Sequence, residues 1–174
     1  MQKPPHLNKY APSHKTAHRI SLKILTMGEV AYRGCKIPEN LYYDIENQVW
    51  YRLEPDGTVV VGATDIGQTR AGRMVNVRIK PPGKHVPKGK PIASLESGKW
   101  TGPVPAVIEG EVVERNEELF DTPDLINDDP YGRGWIARIK PTNLERDLKD
   151  LTTGAEAVQK MKEYIEREGV ECGT

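Results

Sequence analysis

The sequence predicts a mainly β domain of the α+β class, with short helices and one longer helix near the C-terminal end. Short apolar segments alternate with turn-forming residues through the middle of the chain. Many short strands at close spacing favour a sandwich or barrel over a parallel sheet. The C-terminal segment instead repeats apolar side chains at spacings of three and four residues, which is the period of a helix.

The composition limits the classes of function. The chain has 174 residues with 25 Lys+Arg and 25 Asp+Glu, so its net charge indicates neither a nucleic-acid nor a membrane partner. The hydrophobic content of 37% is enough for one modest core. No apolar run reaches the length of a membrane-spanning helix, and no secretory signal is evident. The two cysteines, Cys35 and Cys172, do not suggest a secreted disulfide framework. We therefore expect a cytoplasmic protein.

Residues 1–33 are predicted to form a flexible, basic N-terminal arm. The segment has six Lys or Arg residues and one acidic residue, Glu29, together with three prolines and three of the four histidines. Such a composition favours disorder over a packed core. Two alternatives stay open, a docking arm for an acidic partner and a translation start at Met27. A mitochondrial transit peptide is disfavoured because serine and arginine are sparse, and the histidine spacing fits no common metal site.

Residues 34–151 are predicted to form the β-rich domain. Gln48–Leu53 alternates apolar and polar side chains, and Asp56-Gly57 supplies a hairpin turn into Thr58–Val61. Further strands are predicted at residues 75–79, 91–95, 111–115 and 135–139. Thr64 or Asp65 can cap a short helix through Arg70, and Asp121-Thr122-Pro123 can cap another.

Residues 152–174 are predicted to form the C-terminal helix, packed on the domain. Val158, Met161 and Ile165 share one face of this helix. Thr152 or Thr153 is the expected cap, and Gly169 the expected end. Cys172 is expected in an exposed tail where nothing activates its thiol, so we treat it as incidental.

The segment Glu96-Ser97-Gly98-Lys99 is the main candidate for a functional site. It separates two apolar, strand-like runs, Pro91–Leu95 and Val104–Ile108. A hairpin would therefore hold Lys99 at its tip, where another enzyme can reach the amine. Gly98 is expected to supply the positive φ that tight turns often need. By spacing alone most lysines of this kind are simply solvated, and the surrounding sequence carries the stronger signal.

Five blocks of the sequence stand in order and at a spacing typical of one family: Tyr43–Trp50, Val61–Gln68, Glu96–Lys99, Gly110–Asn116 and Pro123–Trp135. Together they resemble the H protein of the glycine cleavage system, a lipoyl carrier. The resemblance runs from about Leu41 to about Leu151.

The resemblance implies the barrel-sandwich hybrid of lipoyl and biotinyl carriers, with lipoate joined as an amide to Lys99. It implies that Glu96, three residues before the lysine, helps the modifying enzyme to choose the correct lysine. It also implies that Gly83 and Gly110, sixteen before and eleven after the lysine, shape neighbouring turns. Ser97 matches the family serine, with an ordinary turn hydroxyl as the alternative interpretation.

A carrier of this kind makes no bonds itself, and the sequence contains no nucleophile–base–acid set, phosphate loop or metal spacing. Lipoate would act as a swinging arm that holds a thiol-bound intermediate. The implied partners are a lipoate ligase or lipoyl transferase and the pathway enzymes that load and unload the arm. A candidate docking face consists of acidic residues: Glu109, Glu111, Glu114, Glu117, Glu118, Asp121, Asp124, Asp128 and Asp129.

The residues after the lysine depart from the H-protein pattern. Trp100-Thr101-Gly102-Pro103-Val104-Pro105 places a tryptophan beside the modified lysine, where it can contact the arm or a partner or pack on its own domain. Pro103 and Pro105 require an edge or distorted strand. This flank looks like the lipoate-binding proteins of heterodisulfide-reductase-like sulfur oxidation, in which the arm would carry sulfur.

Three alternatives remain beside the sulfur-oxidation interpretation. A true glycine cleavage H protein would shuttle an aminomethyl group instead. A biotinyl carrier is disfavoured, because Gly98 and Trp100 occupy the places where methionines usually flank biotinyl-lysine. An unmodified interaction module would function without Lys99.

Overall fold

The computed structural model describes residues 28–173. Positions 1–27 of the predicted arm therefore lie outside the described residues. Its last part is folded. Glu29–Tyr32 forms strand β1, which pairs with β2 (Cys35–Pro38) in an antiparallel two-stranded sheet. Residues 29–32 therefore belong to a hairpin rather than to a flexible segment.

A seven-stranded antiparallel sheet forms the larger layer. Its strands are β3 (Tyr42–Asp44), β4 (Val49–Leu53), β5 (Val59–Ala63), β7 (His85–Val86), β10 (Gly110–Arg115), β11 (Ala137–Pro141) and β12 (Thr152–Thr153). Their order in the sheet is β12-β3-β4-β5-β11-β10-β7. The predicted Asp56-Gly57 turn joins β4 and β5, and Gly57 has a φ of 88°.

A three-stranded antiparallel sheet carries the candidate lysine. Its order is β6 (Met74–Ile79), β8 (Pro91–Ser97) and β9 (Thr101–Pro105). Strand β9 pairs only with β8, so it is the edge strand that Pro103 and Pro105 predict. The two prolines are two residues apart and so lie on the same side of the strand.

Five helices are present in residues 28–173: α1 (Asp65–Ala71), α2 (Glu118–Asp121), α3 (Leu125–Asp128), α4 (Leu144–Leu148) and α5 (Gly154–Glu168). Thr64 caps α1 as predicted, because its hydroxyl accepts a hydrogen bond from Gly67 N at 3.0 Å. The cap predicted at residues 121–123 is wrong. Asp121 is instead the last residue of α2, and Asp124 precedes α3 without making a side-chain capping bond.

The C-terminal helix confirms its sequence signals. Thr153 occupies the N-cap position of α5 but makes no side-chain capping bond, since its hydroxyl donates to Leu41 O. Gly169 ends the helix with a left-handed φ of 64°. Val158, Met161 and Ile165 are buried in one apolar cluster. The helix therefore packs on the sheet through the predicted face.

Adjacent residues of β4 separate the two apolar clusters of the fold. Tyr51 lies in the cluster that includes Ile92, Leu95 and other residues of the three-stranded sheet. Trp50 lies in the cluster formed with α5 and the β1–β2 hairpin. Successive side chains of a strand point to opposite faces, so β4 contributes to both clusters. The mainly β prediction is confirmed.

A disulfide joins Cys35 of β2 to Cys172. The expectation that Cys172 is an exposed, incidental residue is therefore wrong. Its relative exposure is 6%, and its N–H donates to Arg33 O at 3.0 Å. The two cysteines are 137 residues apart in sequence, and only the folded chain brings them together. Within residues 28–173, no helix is both long enough and apolar enough to span a membrane.

Candidate functional site

Lys99 lies at the tip of the β8–β9 hairpin, as predicted, and its side chain is exposed. The strands are joined by Gly98, Lys99 and Trp100. Ser97 N donates to Trp100 O at 2.8 Å and closes the turn. The hairpin thus presents the lysine beyond the last strand pair.

The hydroxyl of Ser97 holds this turn from inside. Ser97 is 6% exposed. Its Oγ accepts hydrogen bonds from Trp100 N at 3.1 Å and Lys99 N at 3.3 Å. It also donates to Ala71 O, the last carbonyl of α1, at 2.5 Å. Ser97 therefore acts as a turn hydroxyl, the alternative interpretation of this residue. Its bond to Ala71 also attaches the hairpin tip to α1.

Gly98 does not have the positive φ expected for it. It is absent from the eight glycines of residues 28–173 with positive φ, and a Cβ added there would meet no atom within 4 Å. The prediction is wrong because the Ser97 hydroxyl and the backbone bond to Trp100 close the turn without a left-handed residue.

Gly72 supports the lysine stem, a role that sequence reasoning missed. It follows α1 with a φ of 88°, and its N–H donates to Gln68 O. A Cβ at this position would lie 3.1 Å from Lys99 Cε, so the lysine methylenes lie against bare backbone. Asn127 holds the segment, because its Nδ2 donates to Gly72 O at 2.9 Å and its Oδ1 accepts from Met74 N at 2.8 Å. The sequence did contain a signal for this role, a glycine two residues after the predicted helix that ends at Arg70.

Trp100 both packs on its own strand and faces an open cleft. Its ring covers Gly102, where any Cβ would collide with Cζ2, yet the residue is 40% exposed. The cleft has a volume of about 360 Å³ and has apolar walls from Leu95, Val104 and Met74. Its polar lining residues are Glu46, Asn47, Gln48 and Arg70. A cleft of mixed polar and apolar character therefore lies beside the Trp100 ring.

Gly83 and Gly110 shape the framework at a distance from the tip. Gly83 has a φ of 90°, and its N–H donates to Val112 O at 2.8 Å. Gly110 begins β10, and a Cβ there would collide with the backbone oxygen of Lys140 in β11. Their places fit the turn-shaping role that the resemblance implies. Glu96 lies outward on β8, opposite Asn76 and Thr101, and is exposed.

The predicted acidic docking face is largely neutralised by the chain's own basic side chains. Arg73, for example, contacts Asp124 at 2.5 Å and Asp128 at 3.0 Å. Among the described residues, Glu111, Asp121 and Asp129 are the members of that face without an ion pair. The paired members are Glu109, Glu114, Glu117, Glu118, Asp124 and Asp128.

The N-terminal end of α1 is fixed by a separate network. Asp65 Oδ2 accepts from Lys36 N at 2.9 Å, and Asp65 N donates to the Tyr131 hydroxyl at 3.0 Å. That hydroxyl donates to Lys36 O at 2.7 Å. Burial raises the pKa of Tyr131 above its ordinary value, so the phenol keeps the proton that this bond uses. Helix α1 thus connects the β1–β2 hairpin to the lysine tip.

Comparison with known proteins places this geometry in a family. Residues 41–164 match the family model for the glycine cleavage H-protein. The chain is 77% identical to glycine cleavage system H protein 2 of Aquifex aeolicus over 142 residues, which cover 82% of this chain and 88% of the relative. It is 54% identical to a probable glycine cleavage system H protein 2 of Saccharolobus solfataricus over 145 residues, covering 82% and 97%.

A solved structure shows the same fold. The crystal structure of a glycine cleavage system H protein from Mycobacterium marinum superposes with a TM-score of 0.63 at 30% identity. The match covers 77% of this chain and 100% of the Mycobacterium marinum chain. The predicted barrel-sandwich hybrid of lipoyl carriers is thereby confirmed. The β1–β2 hairpin precedes the residues that match the family model.

Proposed function

Since the chain belongs to the glycine cleavage H-protein family, whose members carry covalently attached lipoate, we propose that Lys99 is the lipoyl-lysine. One observation carries the proposal: Lys99 is exposed at the tip of a hairpin whose turn is fixed by the buried Ser97 hydroxyl. Members of this family are non-catalytic carrier subunits, and we infer the same role for this chain.

The residues around Lys99 fit a long apolar arm. The exposed amine is open to a lipoate ligase or lipoyl transferase, and Glu96 lies exposed on the strand that leads to it. Gly72 leaves room for the lysine stem. The half-exposed Trp100 ring offers an apolar surface next to it. Lipoate supplies a disulfide that opens to thiols, and the chain positions and tethers this group.

The cargo that we propose is the aminomethyl group of glycine cleavage, with the subunits of that system as partners. The names of the relatives support this choice, because both relatives and the solved neighbour carry the glycine-cleavage name. It thus takes precedence over the sulfur interpretation made from the sequence. Sulfur carriage with a heterodisulfide-reductase-like complex remains a second candidate. It is favoured by Trp100 and the two prolines at the tip.

The first test is the intact mass of the protein purified from its native source. We expect the mass to be increased by one lipoyl group, and Lys99→Arg to lose that increment because an arginine cannot form the amide. Lys140→Arg is the matched control, since Lys140 is an exposed strand lysine without an ion pair among the described residues. An unmodified wild-type mass would contradict the proposal and favour an interaction module. An increment of one biotinyl group would identify a biotinyl carrier.

The second test separates the two cargoes. The lipoylated chain is mixed with the other glycine-cleavage subunits, and release of carbon dioxide from glycine is measured. We expect turnover that depends on Lys99. Lipoylated protein without turnover would reject the aminomethyl cargo and leave sulfur carriage as the stronger candidate.

We keep the cytoplasm as the proposed compartment. Disulfides are rare in the reducing cytosol of mesophiles but are found in intracellular proteins of hyperthermophiles. The Cys35–Cys172 bond is buried, which limits access by reductants. Acid quenching and thiol alkylation of whole cells would report whether the bond exists there.

A further inference from the structure

The segment before the hairpin tip has an unusual charge distribution. Between Asp65 and Glu96 the sequence has no acidic residue but contains seven Lys or Arg residues. Three of them, Arg70, Arg73 and Lys88, form ion pairs with acidic side chains. The other four are exposed and form no ion pair within residues 28–173: Arg78, Lys80, Lys84 and Lys90.

Two of these cations line a groove in the three-stranded sheet. The groove has a volume of about 280 Å³, and its apolar lining comes from Ile79, Pro81, Pro91 and Ile92. Arg78 stands opposite Ser94 on the outward face, and Lys80 N donates to Ile92 O at 2.9 Å. Lys90 directly precedes Pro91. We define the basic groove as this apolar lining together with Arg78, Lys80 and Lys90.

The basic groove and the modified lysine share one strand. Strand β8 begins at Pro91 in the groove and ends at Ser97 below the tip. Six residue steps along a strand span about 20 Å. A partner bound to the groove could therefore leave the tip uncovered. The active site of that partner would then lie within reach of the arm attached to Lys99.

We propose that the basic groove is the docking surface for an enzyme that loads or unloads the arm, and that this enzyme presents Asp or Glu side chains around an apolar residue. The proposal rests on the carrier function proposed above. Arg78, Lys80 and Lys90 have no compensating acid within the described chain, so a partner can supply the counter-charge. Complementary charge steers encounter and selects among partners. The acidic face cannot serve equally, because six of its nine members are already paired.

The lining of the groove favours a protein over a nucleic acid. Proteins that bind single strands combine a basic groove with aromatic rings on which bases stack. The residues that line this groove include no aromatic side chain. The exposed Pro81 and Pro91 instead provide an apolar contact for a side chain inside a charged rim, which is the usual arrangement of a protein interface.

The test compares two triple variants of the full-length chain with the same change in net charge. Arg78→Glu/Lys80→Glu/Lys90→Glu reverses the groove. Lys36→Glu/Lys140→Glu/Lys149→Glu reverses three exposed lysines that also lack ion pairs among the described residues. Binding of a fluorescein-labelled peptide that alternates Glu and Leu is measured by anisotropy, beside the same peptide with Gln in place of Glu and a single-stranded DNA of similar length.

We expect the Kd for the acidic peptide to rise at least tenfold in the groove variant and less than twofold in the control. Equal weakening in both variants, or none in the groove variant, would overturn the proposal, because non-specific charge or the basic N-terminal residues would then explain binding. Tighter binding of the DNA than of the peptide would also overturn it.

A second readout separates this proposal from the carrier function. Both triple variants are lipoylated, their intact masses are checked, and turnover with the glycine-cleavage subunits is measured against their concentration. We expect full lipoylation and a KM raised at least tenfold in the groove variant alone. A wild-type chain that binds the acidic peptide but is never lipoylated would reject the carrier function and leave the groove result standing. An unchanged KM in a fully lipoylated groove variant would reject the docking role.

Discussion

The two ends of helix α1 are held in opposite ways. At its N-terminal end, Asp65 contacts β2 and Tyr131 through hydrogen bonds, and its carbonyl faces the disulfide-bonded Cys172. At its C-terminal end, Ala71 accepts one hydroxyl bond from Ser97, and Gly72 lies against the Lys99 stem. The first end lies against the buried Cys35–Cys172 disulfide. The second end contacts, in space, the hairpin that carries the exposed amine of Lys99.

The two ends therefore affect different properties of the molecule, the stability of the whole fold and the position of the Lys99 side chain. The disulfide end restrains the chain as a whole, since it joins residues far apart in sequence. The lysine end controls only where one side chain is presented. We therefore expect substitutions at the first end to change the free energy of unfolding, and substitutions at the second to change chiefly the geometry of the tip.

The largest change in stability is expected from breaking the disulfide. Replacing both cysteines, Cys35→Ser/Cys172→Ser, should lower the free energy of unfolding by about 2–5 kcal/mol, because a long loop of the unfolded chain is no longer closed. Denaturant unfolding measures this change, and wild-type protein in reductant is the control. The extent of Lys99 lipoylation should stay unchanged. If the folded double variant loses lipoylation, the disulfide end of α1 affects the lysine end, and the two ends are coupled.

Removing the hydroxyl inside the turn should have a smaller effect on stability. Ser97→Ala leaves the carbonyl of Ala71 and two turn amides without their partner, which should cost about 1–3 kcal/mol. Hydrogen exchange of the Lys99 and Trp100 amides should accelerate more than that of α5. Ser94→Ala, on the outward face of the same strand, is the control. Uniform acceleration throughout the fold would argue against a local role.

Filling the space beneath the lysine should strain the tip. Gly72→Ala places a side chain at a φ of 88° and next to Lys99 Cε. We expect a loss of about 1–3 kcal/mol from the backbone conformation and slower lipoylation in a time course followed by mass. If stability falls but the lipoylation rate is unchanged, the contact between Gly72 and the Lys99 methylenes is not needed for modification.

The smallest effect is expected at Gly98. Gly98→Ala enters open space at a φ outside the left-handed region, so the free energy of unfolding should change by less than about 0.5 kcal/mol. The lipoylation rate should match that of the wild type. A strong defect here, with the chain still folded, would indicate that the modifying enzyme needs the bare backbone of this position.

The sequence predicts those features that depend on neighbouring residues. The cap at Thr64, the end at Gly169 and the turn at Gly57 follow from short-range rules, and the structure confirms them. The hairpin that carries Lys99 is predicted because both of its strands are apolar and close in sequence. The fold of the carrier domain follows from the resemblance of several blocks rather than from any single one.

The features that the sequence did not predict depend on distant residues. Cys35 lies beside Cys172 because β2 and the C-terminal tail both contact Asp65 at the start of α1. Arg73 neutralises Asp124 and Asp128 across two elements, which no charge count along the chain can show. The contact between Gly72 and Lys99 also joins separate segments. Gly98 was misjudged because a hydroxyl can close a turn that glycine often closes.

The position of the disulfide also sets an order in time. Its second cysteine lies 137 residues after the first, and chains are synthesised at about 5–20 residues per second, so roughly 7–27 seconds separate the two cysteines on the ribosome. The lysine hairpin ends at Pro105, so it is synthesised about halfway through that interval, before the covalent ring can close. A modifying enzyme acting during synthesis would therefore meet the tip on a chain that has not been locked, and one acting later would meet it on a closed molecule.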